Sequence, residues 1–282
     1  MVGLAILIVF VLLAIAAPLI YGAPPALGSA DGPLLDPSWK YPLGTDEVAR
    51  DVLALVIFGS RISLVVGFIA TLISVGIGTL VGIVAGYNGG AIDTLLMRTT
   101  DFFLVTPALV LAILVASIAG PSLINVIVII GFTSWPATAR VIRAQTLSVK
   151  ERAFVARSRA YGAGGPHVIR RHILPNLWPM IMASSTLTVA TAIFLETTLA
   201  FLGLADPTAT SWGTMMNRAF VAGAAGLGKW GYVFAPGVAV GLIILAFTFI
   251  GRALERILNP RLQIRRSDGP VVESVARAVI VP

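Results

Sequence analysis

The chain has 282 residues, 57% of them hydrophobic and only 12% charged, with a mean hydropathy of +0.94. Soluble domains carry about 25% charged residues, so much of this chain is not built to face water. The absence of cysteine excludes disulfides and thiolate metal sites, whereas the formal net charge of +7 still admits a nucleic-acid partner on composition alone.

A bilayer core of about 30 Å takes about 20 apolar residues per helix. With no water to bond the peptide groups, such runs must be helical. Six runs qualify, at residues 1–20, 63–87, 102–119, 123–142, 180–202 and 233–254. They predict an all-α polytopic membrane protein of about six transmembrane helices. In the first run Ala14-Ile15-Ala16 resembles a signal-peptide cleavage site. The run lacks a basic n-region and is long for an h-region, so it is read as an uncleaved span. Its abrupt start leaves room for a preceding cytoplasmic extension.

The second run carries Ser74, Gly78, Gly82 and Gly86 at four-residue spacing, which predicts a face that another helix approaches closely. Gly237 and Gly241 repeat the pattern in the last run. Asn125 is expected to make an interhelical hydrogen bond. Glu196, well inside the fifth run, is costly in a bilayer, and such residues face a bundle interior or a wet cavity. It is therefore a candidate cavity-lining residue or a structural carboxylate.

Six spans place both termini on one side. Fifteen of the twenty Lys and Arg then share that side: Arg98, the eight from Arg140 to Arg171, and six from Arg252 to Arg277. The other side keeps Lys40, Arg50, Arg61, Arg218 and Lys229. Basic residues near span ends mark the cytoplasmic side, so both termini are expected inside. The positive charge is then topological, with anionic lipid as its contact, and nucleic acid is set aside. Two outer segments, 21–62 and 203–232, are rich in Gly, Pro and aromatics, as entrance loops or plain connections would be. The main inner segment, 143–178, predicts a helix over 148–161 and a hard corner at Gly162-Ala163-Gly164-Gly165-Pro166. A second short helix then ends before Pro175. A core of 63–261 and a cytoplasmic tail of 262–282 complete the predicted organisation.

The corner carries a recognisable pattern. Lys150-Glu151, Arg159-Ala160-Tyr161-Gly162-Ala163 and Arg171-His172-Ile173-Leu174-Pro175-Asn176 resemble the EAA loop of binding-protein-dependent ABC importer permeases. Pro42-Leu43-Gly44-Thr45-Asp46 with Arg50-Asp51 resembles the C-type subunit of the dipeptide/oligopeptide and nickel branch. So do Gly89-Gly90 with Asp93, Trp135-Pro136 with Arg140, and Ser211-Trp212-Gly213. The likeness runs from about residue 42 to 261. It departs at Ala156-Arg157-Ser158, where the motif's carboxylate is missing, and at Ala49, where relatives usually have Gly.

The resemblance implies a type I importer permease fold in a bacterial cytoplasmic membrane. It also implies a coupling element formed by Glu151, Arg157, Arg159, Ala160, Tyr161, Gly162 and Ala163. The implied partners are a homologous permease, two ATPase subunits and an extracytoplasmic solute-binding protein. ATP and Mg would sit on the ATPases, because no Gly-x-x-x-x-Gly-Lys-Ser/Thr loop occurs here. His167 and His172 stand at no metal-ligand spacing, and no nucleophile–base pair is present. The solute implied is a di- or oligopeptide, with a nickel chelate, haem or another small solute as the alternative within the fold. An alternative of another class is a proton-coupled secondary transporter using Glu196. Against it stand the lack of an inverted repeat and of further intramembrane carboxylates.

Overall fold

Ten helices account for most of residues 1–258, the part of the chain that the computed structural model describes. The segment read as a tail, 262–282, lies outside the described residues. In chain order the helices are α1 (Val2–Tyr21), α2 (Val52–Asn88), α3 (Gly90–Val105), α4 (Ala108–Ala119) and α5 (Leu123–Lys150). They continue with α6 (Ala153–Ala160), α7 (Gly165–Val168), α8 (Leu174–Phe201), α9 (Trp212–Val221) and α10 (Trp230–Leu258). A π-helical turn, Ile169–Ile173, joins α7 to α8. Five spans of sufficient length and apolarity are α1, α2, α5, the α7–α8 rod and α10, and the α3–α4 pair would make a sixth.

Several expected boundaries are corrected. The second span starts at Val52, eleven residues before Ser63, because the Asp51 side chain caps it by accepting from Leu53 N. Arg61 ends an apolar run in the sequence, yet it lies on an exposed face and does not stop the helix. The third span is not one helix: α3 and α4 meet at 86° across Thr106-Pro107. Proline disfavours α geometry at the residue before it, and Thr106 is extended, with ψ 124°. The helix expected over 148–161 breaks at Glu151-Arg152. The short helix expected to end before Pro175 instead runs on through the π turn into α8. A ring at Pro175 would crowd the carbonyl four residues back in an α-helix, and the wider turn just before it relieves that conflict.

The spine of the bundle is the α2–α5 pair, and the small-residue stripe makes it. A Cβ on Gly82 would stand 2.7 Å from the Ala139 carbonyl oxygen and 2.9 Å from the Arg143 nitrogen. On Gly78 it would meet the Trp135 carbonyl oxygen at 2.8 Å, and on Gly86 that of Arg143 at 2.9 Å. The two backbones touch, as the four-residue spacing predicts. Gly237 and Gly241 behave otherwise: among the described residues, a Cβ on either meets nothing within 4 Å. Asn125 does tie two helices, its Nδ2 donating to the last carbonyl of α4, Ala119, at 2.8 Å.

At the end opposite the basic corner, residues 22–51 fold back over α2 and α10. Asp46 is fully buried, its carboxylate accepting from Arg50 Nε at 2.6 Å and from the Arg50 backbone at 2.8 Å. Tyr232 donates to Glu47 at 2.7 Å, fixing the loop to the start of α10. Ala49 has φ +57°, in the left-handed region that favours Gly. The chain holds a strained alanine where the resemblance leads one to expect glycine.

Candidate functional site

The corner after α5 is anchored by apolar residues and displays charged ones. Val155 of α6 is fully buried against Ile142, Val149, Val168, Ile173 and Leu177. Val155 and the partly buried Phe154 fix α6 to the bundle, while Arg157, Arg159, Ala160 and Tyr161 are exposed, Tyr161 at 91%. Three backbone hydrogen bonds close the turn: Tyr161 N to Arg157 O at 3.1 Å, Gly162 N to Arg159 O at 2.9 Å and Ala163 N to Ser158 O at 3.1 Å. The last two wrap the helix end, a closure that needs one left-handed residue. Gly162 supplies it with φ +82°. The chain is extended at Gly164, and Pro166 sits in the first turn of α7, where its missing N–H costs nothing.

The structure thus brings Arg157, Arg159, Ala160, Tyr161, Gly162 and Ala163 onto one projecting element. Glu151 is exposed at the end of α5, before the break that separates it from α6. Ala156, where the motif's carboxylate is missing, is exposed. His167 and His172 stand 6.1 Å apart between ring centres, and His172 Nε2 lies 3.1 Å from the Ser158 hydroxyl. Among the described residues, no group of three or more His, Cys, Asp or Glu could hold a metal ion.

Two features of this region escape sequence reasoning. Arg143 of α5 grips both carboxylate oxygens of Asp93 on α3, tying the first turn of the bent pair to the spine. Tyr87, in the last turn of α2, lies against α5, α6 and α7 together. Its carbonyl accepts from Lys150 Nζ at 2.7 Å, and its ring lies 5.1 Å from the Arg159 guanidinium carbon and 5.8 Å from Lys150 Nζ. The partners lie 63 and 72 residues further on, a separation at which no local spacing signals contact.

Glu196 occupies a second site, in the opposite half of α8. It is 1% exposed, and Ser63 Oγ of α2 donates to its Oε2 at 3.1 Å, with Thr197 Oγ1 at 3.4 Å. Ser63 Oγ in turn accepts from the backbone N–H of Trp212 at the start of α9, at 3.4 Å. Trp212 is itself fully buried and donates from Nε1 to Val56 O at 2.9 Å. The carboxylate is enclosed within the subunit and joins α8 to α2 directly, with α9 reached through Ser63.

Residues 78–264 match the family model of the binding-protein-dependent transport system inner membrane component. The chain belongs to this family. It is an inner-membrane, multi-pass permease subunit, the non-catalytic membrane component of its transport system. A protein of Brucella suis biovar 1 is 41% identical over 229 residues, covering 81% of this chain and 76% of that one. The dipeptide transport system permease protein DppC of Bacillus subtilis is 37% identical over 264 residues, covering 93% and 82%. DppC of Haemophilus influenzae is 36% identical over 272 residues, covering 93% and 90%. Among solved structures, an inward-facing form of the MetNI methionine ABC transporter superposes with a TM-score of 0.60 at 18% identity. That match covers 73% of this permease and 97% of the MetNI chain, and it speaks for the fold alone. The match from residue 78 onward takes in the corner, Glu196 and α9, while Ser63 and Val56 precede it.

Proposed function

We propose that this permease is one of two homologous membrane subunits of an ATP-driven importer of di- or oligopeptides. In this reading α6 and the turn at Gly162 dock onto an ATPase subunit, two of which carry the ATP and Mg. A solute-binding protein delivers the peptide at the opposite end, both termini are cytoplasmic, and the basic residues rest against anionic lipid headgroups. The observation that carries the coupling part is the corner. It is a short, angled, basic element fixed to the bundle by Val155, with its backbone turn set by one glycine. Such an element is suited to receive motion from a partner. The likeness to the two DppC proteins over 93% of the chain supports a peptide solute. Purifying the assembled complex and identifying its bound solute by mass spectrometry tests that part. A peptide is expected, and a nickel chelate or haem would overturn it.

Orientation gives a separate prediction. The chain has no native cysteine, so single substitutions report cleanly. Asp46 and Trp212 are buried, so the exposed Thr208 is the better probe of the outer side. In intact cells an impermeant thiol reagent should label a cysteine at 208 and leave one at 157 unlabelled. The opposite pattern would reverse the orientation.

Glu196 is proposed to hold α9 in place without touching solute. Glu196→Gln should lower the thermal stability of the complex, since a weakened buried hydrogen bond costs about 1–3 kcal/mol. Uptake of peptides with free and with acetylated amino termini should change by the same factor. A loss confined to free amino termini would return Glu196 to the translocation path.

A further inference from the structure

Tyr87 is the place where the projecting corner meets the spine of the bundle. Its ring sits beside the guanidinium of Arg159, which belongs to α6. Its backbone carbonyl holds the ammonium of Lys150, the last residue of α5. Its Cε1 lies 3.2 Å from where a Cβ on Gly165 would stand, so the first residue of α7 also packs on it. Every segment that enters or leaves the corner therefore contacts this one half-buried side chain or its carbonyl.

What lies beyond Tyr87 gives the contact its meaning. Tyr87 is in the last turn of α2, a 37-residue helix about 55 Å long at 1.5 Å per residue. Along its last third, Gly78, Gly82 and Gly86 bring it into backbone contact with α5. At its far end it holds α9, through Val56 O and Trp212 Nε1 at 2.9 Å and through Ser63 and Trp212 N. Close-packed elements have low compressibility and transmit strain. A displacement of α6 that drags the ring of Tyr87 displaces the end that carries α9.

We propose that Tyr87 is a positioning residue for transport, the contact through which movement of the α6 corner is passed to α2. The inference rests on the coupling reading of the corner given above. The attraction between a cation and a ring face depends on the ring and not on the phenolic hydroxyl. Phenylalanine should therefore serve at position 87, and an aliphatic residue of similar bulk should not.

The test uses the assembled complex, reconstituted with its ATPase subunits and its binding protein loaded with a dipeptide mixture. Yield of complex, basal ATP hydrolysis and its stimulation by the loaded binding protein are measured for Tyr87→Phe, Tyr87→Leu and Gly162→Val. Tyr87→Phe should keep stimulation within twofold of the parent. Tyr87→Leu should assemble in normal yield, hydrolyse ATP at the basal rate and lose at least fivefold in stimulation. A merely structural tyrosine would give a lower yield for Tyr87→Leu with unchanged stimulation per complex, which overturns the proposal. Equal loss in Tyr87→Phe and Tyr87→Leu overturns it too, because the hydroxyl would then be what matters. Gly162→Val separates the two levels. If it keeps full stimulation, the coupling reading itself fails. If it loses stimulation while Tyr87→Leu keeps it, only the role of Tyr87 fails.

Discussion

Gly162→Val is expected to reduce solute uptake by the reconstituted complex more than tenfold while the subunit still inserts and assembles. The residue has φ +82°, and a Cβ there would meet no atom within 4 Å. The damage therefore comes from the backbone and not from a clash. A β-branched side chain disfavours the left-handed region by about 1–2 kcal/mol or more, and two hydrogen bonds of the turn depend on that conformation. The chain after α6 would leave in another direction, and the exposed face of Arg157, Arg159 and Tyr161 would no longer be presented as a unit. Gly164→Ala is the matched control. Its φ of −69° suits any residue and its Cβ position is open, so uptake should stay within twofold. Uptake and ATP hydrolysis measured on the same preparations check both variants. Normal uptake in Gly162→Val would remove the turn from the coupling machinery.

Gly82→Leu should act earlier, at folding of the subunit. The Cβ position is already 2.7 Å from a backbone oxygen and 2.9 Å from a backbone nitrogen of α5, and neither can rotate away as a side chain would. Overpacking a core costs about 1–3 kcal/mol where side chains can adjust. Here α2 and α5 must separate along their length, so the yield of assembled complex should fall at least tenfold. Ser74→Ala, on the same stripe, should behave oppositely. Among the described residues the buried Ser74 hydroxyl has no hydrogen-bond partner, and deleting an unsatisfied group carries no penalty. Yield and thermal midpoint by size-exclusion chromatography after heating measure both. A stable Gly82→Leu complex would mean that the close α2–α5 approach is not required.

The spans were legible because hydrocarbon imposes length and apolarity on every crossing helix, and residues such as Ser74, Gly78, Gly82 and Gly86 report packing at a fixed spacing. The places where the reading failed share a cause. A run-based reading treats Arg61 as an end, although a charged residue on an outer face leaves the helix intact. It likewise joins residues 102–119 across Pro107, where the backbone turns by 86°. The corner could be located from Gly162 and Pro166, whose backbone chemistry is local. Its connection to Tyr87 could not be read, because a cation lying on a ring 63 or 72 residues away leaves no periodic mark. Glu196 was visible as an anomaly, a carboxylate in an apolar run. Its bond to Ser63, 133 residues earlier in the chain, could not be read from any local spacing.

The central claim is that ATP hydrolysis by partner subunits drives solute through this permease. Its most direct test is dipeptide uptake into proteoliposomes holding the assembled complex, with ATP inside or outside the vesicles and the loaded binding protein on the opposite face. Uptake is expected only with ATP inside and the loaded binding protein outside, and none from a pH gradient alone. Uptake driven by a pH gradient without ATP, and abolished by Glu196→Gln, would contradict it.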